Sequence, residues 1–261
     1  MTPEQAAAHG DELYAALRGR HVLAPLTERA PDITIDDAYH VSRRLLERRL
    51  AEGERVVGKK IGVTSKAVQN MLDVHQPDFG WLTDRMQYRS GCELPISSQL
   101  IQPRAEGEIA FVLARELRGP GVTPADVLAA TDHVLPCFEV VDSRIKDWKI
   151  RIQDTVADNA SSGLYVLGEK GVDPADVDFE GCAIIVAKNG REISRGKGSA
   201  ALGSPLNCVA WLANTLGQFG IALGAGEVVL SGSLVPLEPV RAGDHMRLAI
   251  DGIGGCSVHF T

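Results

Sequence analysis

Residues 100–113 read LIQPRAEGEIAFVL, an apolar segment in which two acids, Glu106 and Glu108, stand two positions apart. Side chains alternate between the two faces of a β-strand, so a strand here would direct both carboxylates to one face. Carboxylates that close repel each other unless a cation lies between them. Ligation by oxygen alone favours Mg²⁺ or Mn²⁺ over zinc. From these residues alone, a metal site and an edge strand with two solvated acids remain open alternatives.

A third acid, Glu139, lies in a second apolar segment, PCFEVVD, at residues 136–142. An acid in a strand that otherwise belongs to the core needs a partner, and a metal shared with the first two acids would provide one. Three carboxylates leave about three octahedral positions of Mg²⁺ for water or a bidentate ligand, which is typical of a catalytic site. The alternative is an ion pair with Arg144 or Arg104.

Other residues could complete such a site. Lys59 and Lys60 are adjacent in a glycine-bounded segment rich in β-branched residues, so a strand would direct them to opposite faces. The inward lysine could stabilise an oxyanion, whereas two solvated lysines at a sheet edge are the alternative. Asp78 lies beside Pro and Gly in a segment that predicts a turn. Ser161 and Ser231 lie in small-residue turns that could offer hydroxyl groups to an anionic ligand.

The composition excludes several functional classes. The chain has 261 residues, a net charge of −7 and 5% aromatic residues, which disfavours nucleic acid as a partner. The first residues carry acids where a signal peptide needs a basic region, and no run of about 18 apolar residues occurs, so we expect a cytoplasmic protein without a membrane partner. The five cysteines form no CxxC pair and predict buried core residues, with a catalytic thiol at Cys137 as the alternative. Histidine spacing disfavours zinc, and the glycine-rich segments match neither a P-loop nor a dinucleotide fingerprint.

The hydrophobic periodicity predicts an α+β fold. Helices are predicted at residues 3–18, 36–51, 66–72, 124–130 and 205–219. Thr34 or Asp36 would cap the second helix, and Gly220 would be the C-cap of the last. Strands are predicted at residues 56–63, 106–113, 135–141, 183–187, 191–194, 227–231, 246–250 and 256–260, with an Asn189-Gly190 hairpin turn. We therefore expect a small N-terminal helical layer at residues 1–54 and a mostly-β body with outer helices at residues 55–261.

Five segments together resemble one enzyme family. They are GKKIGVTS at residues 58–65, HQPDFG at 75–80, QPRAEGEI at 102–109, CFEVVDSR at 137–144 and VADNAS at 156–161. The combination resembles the 2-hydroxypenta-2,4-dienoate (2-oxopent-4-enoate) hydratases of the fumarylacetoacetase-like superfamily, from the N-terminal helices to Phe260. The resemblance implies a β-roll body, a Mg²⁺ or Mn²⁺ site, a homo-oligomer and a place in the meta-cleavage degradation of aromatic compounds.

The resemblance also implies roles for individual residues. Glu106, Glu108 and Glu139 become the metal ligands, Lys60 the inward lysine and Asp78 a candidate acid/base. The implied reaction is that of a metal-dependent hydro-lyase, which converts 2-hydroxypenta-2,4-dienoate to 4-hydroxy-2-oxopentanoate.

Three alternatives remain open. The sister 2-oxo-3-hexenedioate (4-oxalocrotonate) decarboxylases are similar in their acidic motif, although Asp78 and the motif Lys-Lys-Ile-Gly favour the hydratases. Because such hydratases associate with the decarboxylase, the chain could instead serve as a structural partner subunit in that complex. A C–C bond hydrolase would be expected to bring a His/Glu pair that activates water, and no such pair is identifiable.

Overall fold

A computed structural model describes residues 1–71 and 73–261. In this part of the chain the α-helices are α1 (Pro3–Gly19), α2 (Leu26–Arg29), α3 (Ile35–Ala51), α4 (Lys66–Met71), α5 (Ile96–Gln99), α6 (Pro124–Ala130), α7 (Ile152–Ala157) and α8 (Pro205–Gly217). The strands are β1 (Val56–Gly62), β2 (Asp78–Thr83), β3 (Gln87–Arg89), β4 (Cys92–Leu94), β5 (Arg104–Leu113), β6 (Thr131–Val141), β7 (Leu164–Leu167), β8 (Ala183–Lys188), β9 (Arg191–Lys197), β10 (Val228–Leu230), β11 (Glu238–Pro239), β12 (His245–Ile250) and β13 (Gly254–Phe260). None of the helices described is both long and apolar enough to cross a membrane.

The strands form two sheets. The larger has the order β2-β1-β10-β5-β6-β7-β3, with β11 also paired to β5, and the smaller has the order β4-β13-β12-β8-β9. Apolar side chains from both sheets and from α8 form the main core, which includes Ile109, Phe138, Ile184 and Leu248. The α+β fold class is confirmed, with helices packed against the sheets.

Alternation along β5 explains which side chains enter this core. Ala105 and Ile109 point into it, because residues two apart share a face of a strand. Glu106 and Glu108 therefore point to the opposite face of the larger sheet. β6 pairs antiparallel with β5 and places Glu139 directly opposite Glu106. Strand alternation therefore sets Glu106 and Glu108 on one face, and the pairing of β6 with β5 adds Glu139 to it.

The N-terminal helices form as predicted. Thr34 rather than Asp36 is the N-cap of α3, because its hydroxyl accepts a hydrogen bond from the Asp37 N–H. Apolar residues of α1 and α3, such as Leu13 and Val41, pack with α7 in a second core. The N-terminal helical layer therefore packs directly against α7. The division of the chain into two units at residue 54 stays a prediction.

Most other predicted elements are also confirmed. α6 has the predicted bounds, and the turn between β8 and β9 has positive φ at Asn189 (52°) and Gly190 (79°), as a type I′ hairpin turn requires. The last helix, however, ends earlier than predicted, and Gly220 is not its C-cap. Its cap is Gln218, whose N–H donates to carbonyls of the last turn, and this tightened turn ends α8 at Gly217.

Two predictions concern the segment before and around Asp78. The predicted helix at residues 66–72 corresponds to α4, and its last predicted residue, Leu72, lies outside the described residues. The prediction of a turn at Asp78 is wrong, because Asp78 is the first residue of β2, paired with Gly62 of β1. Pairing with β1 overrides the local turn preference of the neighbouring Pro and Gly.

Candidate metal and catalytic site

Three carboxylates meet on the concave face of the larger sheet. Glu106 and Glu108 extend from β5 and Glu139 from β6, and each brings one oxygen within 4.8 Å of the others. Glu108 and Glu139 are buried, and Glu106 is half-buried. The structure thus brings together all three acids that were predicted as metal ligands.

The protein itself supplies few partners for these oxygens. Glu108 Oε2 accepts a hydrogen bond from the Gly232 N–H at 2.8 Å. Among the residues described, Glu108 Oε1 and both oxygens of Glu139 have no hydrogen-bond partner, although Glu139 forms an ion pair with Lys60. Burial is the main cause that raises the pKa of all three acids, and repulsion from Glu139 adds to it at Glu106, whose pKa is raised to about 7.

These features fit a hard divalent cation. Buried carboxylate oxygens without partners are costly, and a cation among them would remove both the desolvation penalty and the mutual repulsion. The donors are all carboxylate oxygens, which suits Mg²⁺, Mn²⁺ or Ca²⁺ better than zinc. The residues present therefore fit the metal that the sequence predicts.

Lys60 contacts Glu139 from a strand that is not a neighbour of β6 in the sheet. Its Nζ lies 3.1 Å from Glu139 Oε1, although two strands, β10 and β5, lie between β1 and β6. In a flat sheet those backbones would be about 14 Å apart, so strong curling of the sheet is what allows this contact. Burial favours a lower pKa for Lys60, but attraction to Glu139, Asp78, Glu106 and Glu108 outweighs it and raises the pKa, so the ammonium stays charged.

The neighbouring lysine has a different environment, as alternation predicts. Lys59 lies on the opposite face, where its Nζ is 2.5 Å from Glu227 and 5.3 Å from the ring centre of Trp81. Both lysines are buried, with 2% and 3% of their surface exposed. The alternative of two solvated lysines at a sheet edge is therefore wrong.

Asp78 lies beside Lys60 on the same face. A methyl group at Gly62 would lie 2.3 Å from Asp78 Oδ1 and 3.4 Å from Lys60 Nζ, so the carboxylate and the ammonium both crowd over this glycine. Asp78 is buried, and burial raises its pKa to about 6 despite the attraction of Lys60. An aspartate in this state can hold or release a proton near neutral pH.

The two candidate serines differ in their surroundings. Ser231 follows β10 next to Glu108, and its buried hydroxyl has no hydrogen-bond partner in the described part of the chain. The Ser161 hydroxyl is hydrogen-bonded to Thr155 Oγ1 at 3.1 Å. Ser231 is therefore the serine whose hydroxyl remains available. A role in substrate binding stays a prediction for both.

The alternative partners of Glu139 form other contacts. Arg144 pairs with Asp158 at 2.5 Å, and the Arg104 guanidinium lies over the Trp148 ring at 4.6 Å.

Cys137 is fully buried, and burial raises the pKa of its thiol well above the ordinary value. It is a core cysteine, and the catalytic-thiol alternative has no support.

The sequence analysis missed two groups beside the site. One is the backbone N–H of Gly232, which donates to Glu108 and which the small-residue turn at the preceding Ser231 could have indicated. The other is Asn159, whose side chain holds the backbone of Trp81 in β2. No local pattern identifies Asn159, because its partner lies 78 residues away.

This fold and this acidic site define a known class. The family described as fumarylacetoacetate (FAA) hydrolase C-terminal matches residues 56–261. The chain belongs to the fumarylacetoacetate hydrolase family.

Two relatives and one solved structure are similar to this chain over most of its length. The chain is 70% identical over 213 residues to a 2-hydroxypent-2,4-dienoate hydratase of Pseudomonas putida, covering 82% of this chain and 96% of the relative. It is 60% identical to a 2-hydroxyhexa-2,4-dienoate hydratase of Comamonas testosteroni, covering 97% and 96%. Among solved structures, 4-oxalocrotonate decarboxylase from Pseudomonas putida G7, complexed with magnesium and adipate, superposes with a TM-score of 0.96 at 35% identity, covering 100% and 99%.

A divalent metal is expected to stabilise the protein more strongly as the pH rises. Glu106 has a folded pKa of about 7 against an ordinary value of 4.5, so without metal its contribution to stability is complete below pH 4.5 and is lost as the pH rises through 7. A bound cation would pair with the ionised acids and remove this loss. At saturating Mg²⁺ the melting temperature should rise by about 5–10 °C at pH 8 and much less at pH 5.5.

Melting curves recorded with Mg²⁺ and with EDTA at each pH measure this difference. Other buried acids, such as Asp158, affect both curves equally and cancel in the comparison. A metal-induced shift that is the same at pH 5.5 and pH 8 would contradict the metal assignment.

Proposed function

We propose that this chain catalyses the hydration of 2-hydroxypenta-2,4-dienoate, or of its homologue with one more carbon, to the corresponding 4-hydroxy-2-oxo acid. The observation that carries the proposal is the combination of 60–70% identity to two such hydratases with the acids, Lys60 and Asp78 gathered at one site. The two relatives differ in name by one carbon of the substrate. A single methylene changes binding by about 1–3 kcal/mol, so activity on both substrates is expected.

The proposed cofactor is Mg²⁺ or Mn²⁺, held by Glu106, Glu108 and Glu139. Support comes from the all-carboxylate donor set and from the magnesium complex of the related decarboxylase. When bound, such an ion supplies Lewis-acid polarisation to the carboxylate and 2-oxygen end of the substrate.

The residues of the chain would handle the charge and the protons. Hydration requires a proton at C5, water at C4 and a proton at C3, while the 2-hydroxyl group loses its proton. Lys60, charged and buried, would stabilise negative charge that develops on the 2-oxygen. Asp78, with a pKa near 6, would exchange protons with the substrate carbons directly or through water. The free hydroxyl of Ser231 would donate a hydrogen bond to the substrate.

The test supplies enzymatically prepared 2-hydroxypenta-2,4-dienoate to the purified chain with Mg²⁺ or with EDTA. The expected result is 4-hydroxy-2-oxopentanoate, formed with Mg²⁺ and not with EDTA. A parallel reaction with 2-oxo-3-hexenedioate tests the decarboxylase alternative through the release of carbon dioxide. Absence of product, or product that forms equally in EDTA, would overturn the proposal.

Assembly is a separate proposal. From the family resemblance we infer that the chain forms a homo-oligomer and also associates with the sister decarboxylase. Sedimentation of the chain alone and of a mixture with the decarboxylase measures both. The cytoplasmic location stays a prediction.

A further inference from the structure

Three consecutive residues beside the site have an unusual backbone. Asn159, Ala160 and Ser161 have φ values of 54°, 50° and 53°, in the left-handed region that residues other than glycine rarely adopt. Such conformations cost about 1–3 kcal/mol each and persist only where the surrounding structure fixes them. We call residues 159–161 the left-handed turn.

A buried ion pair fixes this turn from one side. The Asp158 carboxylate accepts hydrogen bonds from the Arg144 N–H at 2.8 Å and from Nε at 2.5 Å. The same guanidinium donates to the carbonyls of Asp158 and Ser162, which flank the turn. Asp142 N–H donates to the Ser161 carbonyl at 2.8 Å. All these groups are buried, so the turn is held rigidly.

On its other side the left-handed turn holds β2. Asn159 Oδ1 accepts from the Trp81 N–H at 2.8 Å, and Asn159 Nδ2 donates to the Trp81 carbonyl at 3.0 Å. Because β2 is the edge strand of its sheet, this amide takes the place of a neighbouring strand. The contact is close, since a methyl group at Gly80 would lie 2.5 Å from the Asn159 carbonyl oxygen and 2.7 Å from Ser162 Oγ.

The strand held in this way carries Asp78. Gly80 is paired with Lys60, and Asp78 is paired with Gly62, so a shift of β2 would move the Asp78 carboxylate relative to the Lys60 ammonium. Asp78 Oδ1 has no hydrogen-bond partner among the described residues. The carboxylate is carried by β2, so its distance from Lys60 depends on how β2 is placed against β1. The metal ligands are on β5 and β6. The left-handed turn contacts the end of β6 through the Ser161 carbonyl and Asp142, whereas the Asn159 side chain is hydrogen-bonded to Trp81 of β2.

We propose that Asn159 is a positioning residue: its side-chain amide fixes the edge strand β2 and thereby places Asp78 for proton transfer, an inference that rests on the proposed hydratase function. Asn159 does not act on the substrate itself. Its removal should therefore lower the rate of the chemical step without weakening the binding of metal or substrate.

Two variants test this role. Asn159→Asp keeps the size and the tolerance of a left-handed backbone, but it loses the N–H donor and sets a carboxylate against the Trp81 carbonyl. Asn159→Gly can keep the left-handed backbone at low steric cost, but it removes both hydrogen bonds to Trp81. For both we expect kcat to fall by about 10²-fold, the loss typical of a small misplacement of a reacting group. KM and the Kd of Mn²⁺ should change less than about threefold, since the acids stay in place.

The chain offers a matched control in Asn214. Its amide accepts from the Val122 N–H at 2.8 Å and donates to the Val122 carbonyl at 2.8 Å, the same arrangement made from α8 outside the site. Asn214→Asp should lower the melting temperature comparably but leave kcat within about twofold of the wild-type value.

A double-mutant cycle separates positioning from general destabilisation. If Asn159 acts through Asp78, Asn159→Gly should lower kcat in the wild-type background and have almost no further effect in Asp78→Asn. Multiplicative losses in the double variant, unchanged kcat in both Asn159 variants, or an equal loss in Asn214→Asp would each overturn the inference while the hydratase function stands. A wild-type chain that does not hydrate the dienoate would overturn the proposed function and this inference with it.

Discussion

Replacing Glu106 by glutamine is expected to lower kcat/KM by at least about 10³-fold and to make the residual activity insensitive to Mg²⁺. The change removes one of three anionic oxygens that lie within 4.8 Å of one another and leaves the shape of the side chain almost unchanged. A hard cation held by two carboxylates binds more weakly, because each charged ligand contributes to its affinity.

The same variant should be more stable than the wild type when metal is absent. Burial and repulsion from Glu139 raise the pKa of Glu106, so at pH 8 the ionised side chain destabilises the fold. Glutamine removes that charge, and the melting temperature in EDTA should rise by about 2–4 °C, as expected for a gain near 1 kcal/mol. A loss of activity together with a gain in stability cannot be explained by unfolding.

Glu227→Gln is the control for this experiment. Glu227 is also a half-buried glutamate, but it pairs with Lys59 on the other face of the sheet. Its replacement should keep the response to Mg²⁺ and most of the activity. Near-normal turnover of Glu106→Gln would show that Glu106 is not a metal ligand.

Replacing Lys60 by methionine is expected to lower kcat by about 10³-fold without weakening the binding of Mn²⁺. The ammonium lies 3.1 Å from Glu139 and is buried with it, so methionine fills the same space and removes only the charge. Two positive charges repel in a site of low dielectric constant, so a metal bound beside methionine should be held at least as tightly as in the wild type. Calorimetric titration with Mn²⁺ and steady-state kinetics measure the two effects.

Lys59→Met provides a control on the same strand. Lys59 is as deeply buried as Lys60, and its ion pair with Glu227 makes its loss comparably disruptive for packing. Because alternation directs it away from the acids, kcat should stay within about threefold of the wild-type value. Equal loss of activity in both lysine variants would assign the effect to stability and contradict a role of Lys60 in the reaction.

Part of the site could be predicted from local pattern alone. A period of two in residues 104–113 puts Glu106 and Glu108 on one face, and the same rule separates Lys60 from Lys59. Glu139 follows because a carboxylate in an apolar strand requires a partner. The two alternation inferences need only the geometry of a single strand, whereas the position of Glu139 beside Glu106 also depends on the pairing of β5 with β6.

Other features could not be predicted in this way. Asp78 has turn-forming neighbours, yet it begins a strand, because pairing with Gly62 of β1 outweighs local preference. The predicted end of α8 is two residues too late, because the helix is capped at Gln218. Gly220, with a φ of 71°, lies in the turn that follows, where the Ile221 N–H donates to the Leu216 carbonyl. Asn159 was missed as a contact of Trp81, although its segment contributed to the family resemblance.

The sequence by itself therefore determined which side chains share a face and which chemistry they can perform, because these follow from the repeat of a strand and the charges of its residues. The tertiary structure decided which faces meet. The curling of the larger sheet brings Lys60 to Glu139 across two intervening strands, and the left-handed turn holds β2 at the sheet edge. Such contacts join residues about 80 positions apart, and they depend on strand order and curvature, which no local periodicity encodes.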